Sequence, residues 1–551
     1  MTDSRSHNPF EDPAPTSPES VASPSDPSAV LTVDRNATLT LGTEALIVLD
    51  EGLAQKRFAS KFCGLLLQSS PSTRAIPFYN VLYAELKDLD VIVHYAQAVG
   101  KKAKDVRVGY VNYTVTDKSL HAHARRWVDS LMARAYPPNT KRRKRVKVLI
   151  NPFGGQGYAQ KLWTRQIEPV FAAARCEVDV EKTSYRGHAG EIAEGLDVEA
   201  FDVVACASGD GLPHEVFNGL ARQRNPRRAL RKVAVVQLPC GSGNAMCMNL
   251  NGTDSPSLAA LAVIKGIRAP MDLVAITQGS NRYYSFLSQA VGIVAESDLG
   301  TDHLRWMGPL RFTWGFLVRL LGKTVYPAEV SVAVELDDKR AIRERYWRKI
   351  EEHEASRNNQ ADETSDSESD DESANTETDL PPLNYGTVTD PIPSDFVTTD
   401  LPTLGNFYCG NMCFMSSDAP FFPCSLPSDG LMDLVNIDGT IPRLRAVSML
   451  TAVEQGALMN FPDVSYRKVT GYRIVPRQGD GVEREGKGLG TKMGKWLGGS
   501  GNGGGEKKEG YISIDGERVP FDAFQAEVCP GLATVLSKRG AVYEFQGPSS
   551  L

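Results

Sequence analysis

Two rhythms of apolar and polar positions run along the chain. Residues 146–150, 201–205 and 233–238 are short, mostly apolar runs rich in valine, and each gives way to a cluster of small residues. After the first, apolar residues return at Ala159, Leu162, Trp163, Val170 and Phe171. After the second they return at Leu212, Val216, Phe217 and Leu220, with Pro213 suited to a first helical turn. Short apolar runs bounded by turn formers predict buried strands, and recurrence every three or four residues predicts helices. Strand and helix in alternation predict a parallel α/β domain. Upstream, in residues 37–136, apolar runs at 45–49, 62–67 and 91–95 lie between turn formers and predict strands. The closing HAHARRWVDSLMARAY predicts a helix, with Ala124, Trp127, Leu131 and Ala135 as its apolar stripe.

Where the rhythm stops, the chain divides. Residues 1–36 are dominated by Pro, Ser, Asp and Glu and predict a disordered tail. The strands and single capping helix of 37–136 look like a small pleckstrin-homology-like module. A basic linker, 137–145, carries KRRKR, which reads equally as a solvated run or as an attraction for anionic lipid headgroups. The α/β domain spans 146–280 and a β-rich domain 281–546. Two insertions without expected fold interrupt the latter: 351–400, which contains SDSESDDES, and 479–510, which contains GGSGNGGGEKKEG.

Composition narrows the function. With 551 residues the chain exceeds one core's usual reach, and 41% hydrophobic against 23% charged residues is ordinary for globular protein. A net charge of −6 argues against a nucleic-acid binder. The best membrane-span candidate, 312–321, is short of the roughly 18 apolar residues needed and carries Arg319. The N-terminus resembles neither a signal nor a transit peptide, so a cytoplasmic protein is expected, reaching membranes from outside. Its nine cysteines are scattered singly, without zinc-ligand spacing, and read as buried free thiols; no protein-held metal is expected.

The candidate chemistry sits in the small-residue clusters. The first strand feeds Asn151, Pro152, Phe153 and the glycines of NPFGGQG. The second ends in Ser208, Gly209, Asp210 and Gly211, with Glu215 and Asn218 in the helix that follows. The third ends in PCGSGN, with Gly241, Ser242 and Gly243. Glycine loops between strands and helices let phosphate approach backbone N–H groups without a Cβ in the way. An aspartate between two glycines at a strand's C-terminal end suits a ligand crevice. Neither the Walker A pattern nor the protein-kinase signatures occur.

NPFGGQGYA, TSYRGHA, SGDGLPHEVFNG, LPCGSGNA, GIVAESDLGTDHLRWMGPLRF and DGERV, in this order, closely resemble the diacylglycerol-kinase-type catalytic domain. Within it they resemble the sphingosine, or long-chain-base, kinases of fungal type. The resemblance implies a nucleotide-binding α/β domain followed by a β-sandwich-like C-terminal domain, with ATP and lipid meeting in a cleft. It implies nucleotide contacts at Asn151, Pro152, Phe153, Thr183, Ser184, Tyr185, Arg186, Gly187, Glu215, Gly241, Ser242 and Gly243, and at Asp515, Gly516 and Glu517. It makes Asp210 the general base, with Ser208, Gly209 and Gly211 beside the substrate. Arg305 and Arg311 become phosphate contacts, and Asp298 meets the lipid's polar head, with Glu296 a neighbouring candidate. Mg²⁺ is the expected companion of ATP. Cys240 and Met246 depart from the common pattern only in size and polarity.

The expected reaction is therefore ATP-dependent phosphorylation of the primary hydroxyl of sphinganine, sphingosine or phytosphingosine, with the enzyme peripheral to intracellular or plasma membranes. Ceramide or diacylglycerol kinase is the alternative within the class. A membrane-recruited scaffold with an inactive kinase domain and a soluble-metabolite kinase, which would share the Gly-Asp-Gly turn, are the alternatives outside it.

Overall fold

The computed structural model describes residues 27–34, 36–50, 73–100, 103–155, 157–299, 325–362, 379–477 and 510–548. Its first strands are β1 Val30–Val33, β2 Ala37–Leu41, β3 Ala45–Asp50 and β4 Thr73–Pro77, then β5 Val81–Lys87, β6 Asp90–Val99 and β7 Asp105–Thr114, closed by helix α1 His121–Ala135. An alternating stretch follows: β8 Arg145–Ile150, α2 Ala159–Leu162, α3 Glu168–Ala173, β9 Glu177–Lys182, α4 His188–Glu194 and β10 Val203–Ser208. It continues through α5 Gly211–Leu220, α6 Pro226–Lys232, β11 Ala234–Pro239, α7 Ala245–Asn251 and α8 Pro256–Lys265. Strands then predominate: β12 Ile267–Gln278, β13 Asn281–Ser285, β14 Ser288–Gly292, α9 Ile293–Leu299, β15 Ala328–Leu336, α10 Lys339–Asp362 and β16 Val397–Leu401. The chain ends with β17 Leu404–Gly410, β18 Met432–Asp438, α11 Arg443–Glu454, β19 Val464–Pro476, β20 Ile512–Ile514, β21 Glu517–Val519 and β22 Phe524–Ser537.

Two compact units result. Among the described residues, one holds the chain up to Arg145 with Lys161–Val178 and Ser255–Ile267; the other holds Val146–Gln160, Asp179–Asp254 and the chain from Arg268 onward. In the first unit β1–β2–β3–β4 and β5–β6–β7 form separate antiparallel sheets. Trp127 and Leu131 of α1 are buried, and the Trp127 indole N–H donates to Ala29 O at 3.0 Å. The helices α3 and α8 belong to this unit: Lys265 at the end of α8 is buried, its ammonium donating to Val81 O and Ala135 O.

In the second unit β8, β10 and β11 are parallel neighbours, with Val203 opposite both Val146 and Ala234. Every residue of β10 and β11 is buried, which explains why they read as continuous apolar runs rather than alternating ones. The long β22 pairs parallel with β11 through Thr534 and Val535, and antiparallel with β19 through Phe524–Glu527. The α/β half and the β-rich half thus share one 15-stranded sheet.

Several boundaries differ from the sequence expectation. The expected tail 1–36 includes strand β1, whose Leu31 and Val33 are fully buried in pairing with β2; residues 1–26 lie outside the described residues. The basic linker 137–145 ends in structure: Lys144 is buried and donates to Ile264 O at 2.6 Å. The segment 351–400 begins inside α10, where Ile342, Tyr346 and Ile350 form a buried stripe and Arg340–Glu344 and Arg348–Glu352 pair at four-residue spacing. It ends inside β16, which pairs with β15. The run 62–67 and, of the second insertion 479–510, all but Gly510 lie outside the described residues. The helix expected after the first glycine loop is broken by a π-helical turn, Trp163–Ile167, just ahead of Pro169, which supplies no N–H to the ladder. Among the described residues the cysteines are free, and all but Cys176 are buried. No described helix is long and apolar enough to cross a membrane.

Candidate active site

The strand order brings the three glycine loops together at one sheet edge. A Cβ on Gly241 would fall 2.2 Å from Gly209 Cα, so the second and third loops touch backbone to backbone where only glycine fits. Gly155 of the first loop lies against Cys240 and Gly241. These loops form one end of a cavity of about 710 Å³, within the range of ~300–1,000 Å³ usual for ligand sites.

Asp210 stands at the centre. Its Oδ1 accepts from the Gln237 amide at 3.1 Å and from Met246 N at 3.0 Å; its Oδ2 accepts from Ala245 N at 3.0 Å. The carboxylate therefore caps α7 across the crevice and leaves acceptor capacity on Oδ2. Burial pushes its pKa above the ordinary value, against the pull of the two backbone N–H groups and the Gln237 amide.

Glu215 is a helix cap as well. Its two oxygens accept from Gly187 N at 2.9 Å and Ala189 N at 3.1 Å, which fixes the start of α4 and with it the TSYRG loop. Thr183 is buried, its N–H donating to Ile150 O, while Ser184 N donates to His188 Nδ1. Tyr185 is 55% exposed and stacks on His188; Phe153, 75% exposed, has its N–H held by Asn151 Oδ1 at 3.0 Å. Arg186 forms an ion pair with Glu517.

The DGE motif turns between β20 and β21, with Asp515 at φ 51° and Gly516 at φ 81°, the left-handed pair of a two-residue hairpin turn. Asp515 is buried and saturated. Its Oδ1 accepts from Ser285 Oγ, Leu287 N and Ser288 N, and its Oδ2 from Phe286 N and from His214 Nδ1 at 2.8 Å. Burial disfavours the His214 imidazolium, but the bond to Asp515 and the nearby carboxylates outweigh it and raise the pKa. Asp515 thus ties α5 to the turn before β14, and Glu517 is the member of the motif that reaches the TSYRG loop.

The cavity gathers Asn151, Phe153, Thr183, Tyr185 and Arg186 with the second and third loops, Glu215 and the DGE turn. Pro152, Ser184 and Gly187 support those loops without lining it. Asp298 falls within α9, whose Ile293, Val294 and Ser297 line the cavity; its side chain, with Arg305 and Arg311, lies outside the described residues.

Away from the loops the cavity becomes apolar. Met449, Leu450 and Val453 of α11 face it, with Leu458, Tyr408 and Phe421. Sequence reasoning missed this wall, although Ala446, Met449 and Val453 show helical spacing. It also missed Gln237, a lone amide in an otherwise apolar strand, which needed a buried partner. Arg518 lines the cavity too, and its signal was simply adjacency to the DGE motif.

A crevice of glycine loops that opens into an apolar chamber suits a lipid kinase. Residues 145–276 match the family described as the diacylglycerol kinase catalytic domain, and residues 29–137 match a domain of unknown function, DUF7493. The chain is 34% identical to "Sphingoid long chain base kinase 5" of Saccharomyces cerevisiae over 531 residues, covering 89% of this chain and 71% of that one. It is 30% identical to "Sphingoid long chain base kinase 4" of Schizosaccharomyces pombe, covering 86% of this chain and 90% of that one. "Sphingosine kinase 1" of Homo sapiens is 34% identical over a shorter stretch, 34% of this chain and 51% of its own length. The chain belongs to the sphingoid long-chain-base kinase family, whose members are ATP-dependent lipid kinases.

Proposed function

We propose that this enzyme transfers the γ-phosphoryl group of ATP to the primary hydroxyl of a sphingoid long-chain base, giving the 1-phosphate. The observation that carries the reading is the single cavity with Asp210 and three glycine loops at one end and the α11 wall at the other. Asp210 takes the proton of the lipid hydroxyl as its oxygen bonds to the γ-phosphorus and the bond to the β-phosphate oxygen breaks, releasing ADP. The loop N–H groups hold the phosphates, and Phe153 and Tyr185 offer exposed rings for the base. Arg186 and Arg518 supply positive charge from the described walls. By family resemblance, Arg305 and Arg311 contact phosphate and Asp298 pairs with the lipid's ammonium group.

Mg²⁺ fits as an ion carried chiefly by the phosphates. Asp515 has no acceptor capacity to spare, and no cluster of three metal-ligating side chains occurs among the described residues, so Asp210 with Glu517 is the donor set within reach. When bound, the ion would neutralise charge on the transferring phosphoryl group.

At the finer level of fold, we read the β-rich half as sandwich-like: β12, β15, β17, β18, β19 and β22 share one apolar core. The first unit's four- and three-stranded sheets with a closing helix support the pleckstrin-homology-like reading. A long-chain amphiphile as substrate favours a cytoplasmic enzyme working at a membrane surface.

Asp210→Asn is the direct test. Turnover should fall by about 10²–10⁴-fold while ATP still raises the melting temperature. If wild type and variant alike show no turnover with any lipid, the chain is an inactive scaffold.

A further inference from the structure

A second cavity lies wholly within the first unit, where it owes nothing to the catalytic reading. It measures about 430 Å³ between one face of α1 and strand β5. Arg125, Val128, Asp129 and Met132 of α1 line it at helical spacing, followed by Tyr136; Tyr83, Glu85, Arg142 and Arg143 are among its other walls. The floor is firm: Ala84 N donates to Met132 Sδ at 3.2 Å and the Tyr136 hydroxyl donates to Leu82 O at 2.6 Å.

The guanidinium groups are held by rings more than by carboxylates. Arg143 lies over the Tyr83 ring at 5.1 Å and donates to its hydroxyl at 2.6 Å, and Arg175 covers the same ring at 5.4 Å. Arg142 lies over Tyr136 at 5.6 Å, a ring that also receives the buried Lys265 ammonium at 3.5 Å. Arg175 alone has an ion pair here, with Glu85 at 3.1 Å; Arg125, Arg142 and Arg143 have none among the described residues. Three arginines, Arg125, Arg142 and Arg143, thus line the cavity with two carboxylates, Glu85 and Asp129, of which Glu85 is already paired with Arg175. Concentrated positive charge behind the floor is also felt by Lys265, whose pKa falls through burial first and then through Lys144 and Arg142.

We propose that this cavity is a non-catalytic binding site for a phosphomonoester. A phosphomonoester carries about −1.5 to −2 charges near neutral pH, which matches the surplus of guanidinium groups. Its oxygens suit the planar forks of Arg125, Arg142 and Arg143, and Asp129 can accept from a neighbouring hydroxyl. The group could be carried by a membrane lipid or by a soluble metabolite, and the two sources separate experimentally.

The test uses the full chain and co-sedimentation with phosphatidylcholine vesicles containing phosphatidic acid, against vesicles whose charge is matched with phosphatidylglycerol, a phosphodiester. Binding should favour phosphatidic acid, and the pair Arg142→Ala and Arg143→Ala should weaken that binding at least tenfold. Turnover of detergent-presented substrate should stay at the wild-type level. Arg125→Ala, on the exposed face of α1, repeats the test without touching the tyrosine stacks. Competition by millimolar glycerol 3-phosphate would assign the site to a soluble ligand of the same chemistry. Equal binding to both vesicle types, unchanged by either set of substitutions and insensitive to glycerol 3-phosphate, overturns the proposal.

Discussion

Asp210 shows how a side chain can be legible in position and illegible in surroundings. Its position between two glycines at a strand end marked it as chemical, yet nothing nearby in sequence announced that Ala245, Met246 and Gln237 would all donate to it. The consequence is testable through pH. Burial raises this carboxyl above 3.8 and the three donors hold it down. A general base works only when ionised, so kcat/KM must fall as pH drops through the raised pKa, and the acid limb is predicted above pH 3.8. Gln237→Leu removes one donor and should move that limb further up; a limb that stays in place would contradict the assignment. Asp515 is the reverse case. The motif suggested a nucleotide contact, but five donors consume its oxygens. Asp515→Ala strands buried N–H groups and unpairs His214, so a loss of about 3–5 kcal/mol in unfolding free energy is expected by chemical denaturation.

Elements were readable where their periodicity is local and obscure where tertiary partners define them. The parallel strands β8, β10 and β11 stood out because each is buried on both faces. The second half of α10, from Glu351, reads as a disordered insertion because charged and polar residues fill it; the buried stripe of Ile342, Tyr346 and Ile350 lies in the first half. In α11, one helix supplies Met449, Leu450 and Val453 to the chamber. Filling that wall with Met449→Trp should raise KM for an 18-carbon base by roughly tenfold, about 1.4 kcal/mol of lost binding, while shorter chains suffer less. Kinetics across a chain-length series would check it, and an equal loss at every length would place the acyl chain elsewhere.

At the scale of the whole molecule, the sequence pointed to two catalytic halves, and β22 explains why the boundary between them is less sharp than their motifs suggest. A strand near the C-terminus pairs with β11 at one end and with β19 at the other, and such long-range pairing leaves no local signature. The same connectivity puts the DGE turn and the glycine loops around one chamber. The alternation of strand and helix was legible, as were the glycine loops; the apolar wall that completes the chamber was not, because its residues come from elements far apart in the chain. The central claim is that this chamber phosphorylates an amino alcohol. Purified full-length protein, labelled ATP and a matched panel of sphinganine, phytosphingosine, ceramide and diacylglycerol test it most directly. The account predicts label on the sphingoid bases, at the primary hydroxyl; preferential labelling of diacylglycerol or ceramide would contradict it.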